Sequence, residues 1–514
     1  MKALRSRGVA LLFGSLSLAA CGSGSSGNPK PQGTGGSGGS AGSGLAGGAG
    51  TGALAGASGT SGTGGGSGTG TGGTDAGAGG TGGSGAQAGA ATGGSGGGQA
   101  GAGAAGGAAG AGSGGTASGD GGRAGAGGAG SGGQGGATVT GLPAKSAVLA
   151  SLRLANDYFV GRWPDPTIDI VTDRARPSNL WTRAVYYEGL MALYGVESEA
   201  ARKTSYYDYA VRWASSPGHP WQITYGDATA DDADFQACGQ TYIDLHAIDP
   251  QPVRIAQIQQ SIDRMITGNV TTVWTWIDAI QMSMPVFAKL GARLNDTRYY
   301  NAMWALYSHS RDTEGGGLLN DANGLWWRDA DYNPGGTYTR SPGGQDIYWS
   351  RGNGWVMAAL VRVLDTIPAN ETHRSTYLAD FRAMAATLVP LQRSDGFWNE
   401  SLTHPMHCQS VGKTGQDGPE TSGTALFAYG IGWGIRSGVL DAATYGPVLA
   451  RAWNGLVQTA LHGDGMLGWV QSTGAEPCDP DDTTGLGANV RPNFDDYGVG
   501  CFLLAGSEVF RLAR

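Results

Sequence analysis

Twelve helix-like blocks follow one another between residue 143 and the C-terminus, and their number does most to limit the fold. They are 144–161, 180–195, 199–214, 234–247, 251–266, 276–291, 295–311, 350–366, 371–392, 421–437, 442–461 and 496–512. Each carries apolar residues at helical spacing, Gly/Pro loops separate them, and period-two runs are few. Short connections between successive helices make helical hairpins. Twelve blocks suit six hairpins, an all-α toroid of the (α/α)6 barrel type. In such a toroid the inner helices aim their N-terminal ends and loops into one funnel.

The chain before these blocks cannot add a second core. Most of the 96 glycines lie before residue 138, and residues 22–137 are nearly all Gly, Ala, Ser and Thr. Such a segment buries too little apolar surface to offset its chain entropy, so disorder is expected. Its expected span is roughly 60 Å, that of a flexible tether. Residues 1–21 read as a signal peptide: Lys2, Arg5 and Arg7 precede a short apolar core from Val9 to Leu18. The domain plan is therefore 1–21 signal, 22–137 linker and 138–514 folded unit. The first two parts hold the basic residues Lys2, Arg5, Arg7, Lys30 and Arg123 but only Asp75 and Asp120, so the folded unit is more acidic than the whole-chain net charge of −8. A domain of that charge suits neither nucleic acid nor long polyanions, though one small anionic group can bind locally.

The central stretch is 346–368, DIYWSRGNGWVMAALVRVLDTIP. A polar and aromatic cluster, Trp349, Ser350, Arg351, Asn353 and Trp355, opens a helix carrying Val356, Leu360, Val363, Leu364 and Ile367 at helical spacing. Free backbone N–H groups at a helix N-terminus favour an anion, and an arginine there adds to that preference. Aromatic packing at a helix entry is the plain structural alternative. Asp278 lies in VWTWIDAIQM, after Trp274 and Trp276 at alternate positions. A carboxyl desolvated among indoles keeps its proton to higher pH, which suits a general acid; a first-turn or capping aspartate is the structural alternative. Asp234, five residues before Gly239, is the candidate second carboxylate, with Asp232 as the fallback and Asp231 and Asp232 reading as loop or cap residues.

WSRGNGW running into an apolar helix resembles the unsaturated rhamnogalacturonyl and glucuronyl hydrolases of glycoside hydrolase families 105 and 88. Further motifs extend the resemblance over most of 143–514: NLWTRAVYYEGLMALY at 179–194, the Asp234 block with its Gly239-Gln240, the aromatic motif ending in Asp278, ETSGTALF at 420–427 and DYGVGCFLLAGSEV at 496–509. The resemblance implies an (α/α)6 fold, no metal or organic cofactor, and an oligosaccharide substrate ending in a 4,5-unsaturated uronic acid. It makes Asp278 the donor of a proton to the C4=C5 enol ether, with water adding at C5, and Asp234 its assistant. It implies substrate contacts from Trp276, Trp349, Arg351, Asn353 and Trp355, and from Glu420 and Ser422, beside which Thr421 or Ser422 reads as the cap of the next helix. Trp326, Trp327, Arg328 and Asp329 fill a loop in which better-known members carry a histidine; they could stack on a sugar or hold its carboxylate. A conventional glycosidase or uronate lyase on the same toroid, and a non-catalytic glycan-binding surface lipoprotein, are the alternatives.

Leu18-Ala19-Ala20-Cys21-Gly22 resembles a bacterial lipobox, which implies lipidation at Cys21 and a place in the cell envelope, with membrane contact through that anchor alone. Among the five cysteines, Cys238 and Cys501 lie in apolar helical blocks and read as buried thiols, while the loop residues Cys408 and Cys478 could pair in an oxidising compartment. No Cys/His spacing suggests a metal site.

Overall fold

The computed structural model describes residues 139–171, 175–223, 231–337, 344–404, 419–473 and 495–514. Cys21, Cys408, Cys478 and the segments expected as signal and tether lie outside them. Thirteen helices account for most of the described chain: α1 (Lys145–Arg162), α2 (Trp181–Val196), α3 (Ala200–Ala214), α4 (Ala233–Gln236), α5 (Cys238–Ile248), α6 (Val253–Thr267), α7 (Asp278–Leu294), α8 (Thr297–Asp312), α9 (Ser350–Leu364), α10 (Arg374–Leu391), α11 (Thr421–Arg436), α12 (Ala442–Gly455) and α13 (Asp495–Leu512). The expected block 234–247 is thus two helices that break at Ala237, and the block 442–461 ends in a π-helical turn, Leu456–Ala460.

Packing partners show how the helices close on themselves. An inner ring runs α2, α5, α7, α9, α11, α13 and back to α2, each element packed on the next. The intervening helices lie outside: α1 against α13, α3 against α2 and α5, α6 against α5 and α8, α8 against α7, α10 against α9 and α12 against α11. Residue patterns explain the division. On the outer helix α6, Ile255, Ile258, Ile262 and Met265 make one buried stripe at spacings of three and four. On the inner helices α9 and α11 burial goes nearly all the way round, because each is flanked by ring neighbours and backed by an outer helix. This is the (α/α)6 toroid, and the Lys145 N–H to Arg514 carbonyl bond at 2.9 Å ties its two ends.

The ring closes tightly between α2 and α13. A Cβ placed on Gly189 would collide with the Gly500 carbonyl, and one on Gly500 with the Val185 carbonyl. Only glycine lets the two backbones approach this closely. Cys238 and Cys501 are buried free thiols within inner helices.

Three two-residue ladders lie on the connectors: β1 (Ile170–Val171) with β2 (Ala175–Arg176), β3 (Leu319–Asn320) with β4 (Leu325–Trp326), and β5 (Trp398–Asn399) with β6 (Pro419–Glu420). Single bridges add Trp276 to Asp329 and Trp349 to Ser401. These connectors are laced together beside the N-terminal ends of α7, α9 and α11.

Candidate active site

The first turns of the inner helices meet at one end of the ring. Trp181, opening α2, lies 5.3 Å from the Tyr497 ring of α13 and 6.2 Å from Trp355 of α9. The Arg351 guanidinium stands 4.5 Å from the Trp349 ring and 5.2 Å from that of Tyr497. The two candidate acids, Asp278 and Asp234, lie at this end.

Asp278 is the first residue of α7, after the buried Trp274 and the half-exposed Trp276. Its Oδ2 is shut off from solvent and has no hydrogen-bond partner. Burial pushes its pKa up, against the opposing fields of Arg328 and Arg351. Asp234 lies in α4, where the Asp232 side chain caps the helix by accepting the Asp234 N–H at 2.9 Å. Burial, then the charges of Asp232 and Asp278, push the Asp234 carboxyl up to about 8, while Arg328 and Arg176 pull it down. Asp234 therefore feels Asp278 directly. Two desolvated carboxyls within Coulombic reach resist ionising together, and Asp234 holds its proton up to about pH 8. Asp234 thus stands just ahead of α5, with the helical Ala237 joining the two helices.

Most of the other residues expected to touch substrate brace one another. Arg351 is 1 % exposed. One terminal nitrogen donates to the Gln471 carbonyl at 2.9 Å and to Ser422 Oγ at 3.4 Å, and the other to the Ser472 carbonyl at 2.8 Å. Trp349 is buried and donates its indole N–H to Gln471 Oε1 at 2.7 Å. Trp355 is fully buried, edge-on to Trp181. Ser422 Oγ donates to Glu420 at 2.5 Å.

Asn353 and Glu420 are held by the fold. The Asn353 side chain accepts the Trp326 N–H at 2.8 Å and donates to the Trp326 and Trp349 carbonyls at 3.0 and 2.9 Å. It pins β4 to the start of α9. Glu420 accepts the N–H groups of Ser422, Gly423 and Gln471 together with the Ser422 and Ser350 hydroxyls. Both side chains are buried and saturated by the fold, so neither offers an open polar atom to a sugar. The cap of α11 is Glu420, where the sequence reading had put Thr421 or Ser422, and of Trp276, Trp349 and Trp355 it is Trp276 that keeps a partly open face.

Residues without a motif complete the site. Gln471 joins the Trp349, Arg351 and Glu420 clusters, and its carbonyl also accepts the Tyr497 hydroxyl at 2.5 Å. Nothing in GWVQST marks it in the sequence. Arg176, whose field reaches both Asp234 and the buried Asp496, donates to Thr473 Oγ at 2.7 Å. The half-exposed Trp181 stands in a block matched as a whole but not singled out.

The sequence model of Glycosyl Hydrolase Family 88 matches residues 153–513. A curated relative from Formosa agariphila, an unsaturated 3S-rhamnoglycuronyl hydrolase, is 33% identical over 254 residues, 49% of this chain and 61% of the relative. An enzyme of the same name from an Alteromonas species is 29% identical over 249 residues, 48% of this chain and 53% of the relative. The matches thus span less than two thirds of either relative. Among solved structures, a family 88 glycosyl hydrolase from Bacteroides vulgatus superposes with a TM-score of 0.61 at 30% identity, covering 72% of this chain and 100% of that one. A possible family 105 member from Salmonella enterica, at 18% identity and a TM-score of 0.52 over 71% of this chain and 93% of that one, shows the same fold.

Proposed function

Because this chain belongs to glycosyl hydrolase family 88, we propose that its paired carboxyls remove a terminal 4,5-unsaturated uronic acid from an oligosaccharide by hydrating the C4=C5 double bond. The observation that carries the reading is the pair Asp234 in α4 and Asp278 at the start of α7, both raised above the ordinary carboxylate range by desolvation, Asp234 also by the charge of Asp278.

The chemistry needs one proton and one water. Asp278 delivers the proton to C4, and the cationic charge that develops at C5 is shared with the ring oxygen. Water adds to C5 and returns its proton to the ionised pair. The resulting hemiketal opens, and the glycosidic oxygen departs with the remaining saccharide. This route differs from direct displacement at the anomeric carbon between two carboxylates. Asp234 keeps the pair from losing its last proton near neutral pH, because two neighbouring anions in a desolvated site repel. The half-exposed indole of Trp276 offers a face to the sugar. The two curated relatives are named for unsaturated rhamnoglycuronyl substrates, and we take the same class for this chain. The protein is further proposed to be held to the cell envelope through a lipid on Cys21.

The test is incubation with lyase-digested uronic acid polysaccharides, followed by loss of the ultraviolet absorbance of the conjugated double bond. Wild type is expected to consume it. Asp278→Asn, which preserves shape but supplies no proton, is expected to turn over about 10²–10⁴-fold more slowly while still binding substrate. A similar rate in the variant refutes the mechanism, and no consumption of any unsaturated uronide by wild type refutes the function.

A further inference from the structure

The uronate that the proposed reaction consumes carries a carboxylate on C5, beside the carbon to be protonated. A desolvated site must meet that charge with a cation. Two arginines lie within reach of Asp278, and they differ in what they can offer. Arg351 is 1 % exposed and uses both terminal nitrogens on the Gln471 and Ser472 carbonyls and Ser422, so only its buried Nε is left without a partner and it has no free pair of nitrogens for a carboxylate.

Arg328 is built differently. Its backbone carbonyl accepts the Ile277 N–H at 2.9 Å, which fixes it to the residue just before Asp278. The neighbouring bridge between Trp276 and Asp329 holds the same two segments side by side. Its side chain keeps 23% exposure. One terminal nitrogen is paired with Asp329. The Nε is buried and has no hydrogen-bond partner, and the second terminal nitrogen bonds no described residue. Nε and that nitrogen form the edge of a guanidinium that a carboxylate engages with two parallel bonds. A buried N–H on a cation is costly to leave unmade, so this edge fits an incoming acceptor.

We propose that the open edge of Arg328 receives the C5 carboxylate of the unsaturated uronate. The inference rests on the hydrolase reading above and deepens it. Arg328 is the charged group that acts most strongly on Asp278, so a carboxylate held on this edge brings C4, two bonds from the carboxyl carbon, towards the Asp278 side chain that must protonate it. Binding also neutralises the cation whose field most strongly favours the ionised form of Asp278. Asp234, Arg351 and Asp329 are the other charged groups facing Asp278. With Arg328 matched by substrate, that opposing field weakens and burial raises the Asp278 carboxyl further.

The experiment compares an unsaturated uronide with its methyl ester, identical elsewhere, in wild type, Arg328→Gln and Arg328→Lys. Wild type is expected to prefer the acid by about 10- to 100-fold in kcat/KM, the range of one charge-assisted pair. Arg328→Gln is expected to bring that ratio close to one, mainly through a raised KM for the acid, with Arg328→Lys between. A purely structural defect lowers both rates together and leaves the ratio unchanged, which overturns the proposal, as does a wild type with no preference. Thermal melts of the three proteins show whether each is folded. If wild type consumes neither compound, the hydrolase reading fails as well; if it consumes both and the ratio survives Arg328→Gln, the assignment of Arg328 fails alone.

Discussion

Replacing Asp234 by asparagine should make the protein more stable and less active, and the gain should depend on pH. Burial and two neighbouring carboxylates raise this carboxyl from its ordinary 3.8 to about 8. Below pH 3.8 the group is protonated in both the folded and the unfolded chain and contributes nothing. Between 3.8 and 8 the unfolded chain releases the proton and the folded chain keeps it, so stability falls as pH rises, by about 1.4 kcal/mol per unit. The penalty reaches about 4 kcal/mol at pH 7 and levels off above pH 8 at about 6 kcal/mol. Asparagine is neutral throughout and removes it. For a folded region of roughly 370 residues, 4 kcal/mol corresponds to about 5 °C in Tm. Thermal melts of wild type and Asp234→Asn between pH 4 and pH 9 measure the difference: near zero at pH 4, growing through neutrality, flat above pH 8. The same variant should lose turnover, since stabilising a strained site commonly costs activity. A Tm difference that does not change with pH, or a variant less stable than wild type at pH 7, would show that Asp234 is not the buried protonated carboxyl described here.

Glu420→Gln places an amide where the N–H groups of Ser422, Gly423 and Gln471 converge; losing charged acceptors to several donors should cost about 3 kcal/mol, read as a lower denaturant midpoint. Cys21→Ser should move the protein from the membrane to the soluble fraction at unchanged specific activity, and membrane retention of the variant would exclude anchoring through Cys21.

The fold was legible because each helical block carried its own period and its own breakers. Ile255, Ile258, Ile262 and Met265 announce an outer helix without any neighbour in view. The inner helices were legible for the opposite reason: α9 and α11 are apolar around most of their circumference, as elements packed on several sides must be. The interruption at Ala237 was not, since no proline or glycine stands there and its backbone angles stay helical. The strands escaped because two residues cannot display an alternation. Asp278 could be found from the indoles before it, a local signal. Gln471 could not, because its partners Trp349 and Arg351 lie 122 and 120 residues away in sequence.

The site also separates two kinds of residue that a motif lists side by side. Trp349, Arg351, Asn353 and Glu420 belong to the stretches through which the resemblance is read, and the fold turns their polar atoms inward. Asn353 pins β4 to α9, Arg351 holds the 471–472 backbone, and Glu420 gathers three N–H groups at the start of α11. They stiffen the connectors over the ring, which is what a site must have if two acids are to be held at fixed separation. The acids themselves come from α4 and α7, and the cation between them comes from the connector after β4. That connector is where the chain carries Arg328 and Asp329, so a change of residue there alters the charge seen by both carboxyls without disturbing the braces. Under the proposed role of Arg328, recognition of the substrate's carboxylate and the bracing of the helix starts therefore rest on different residues of the chain.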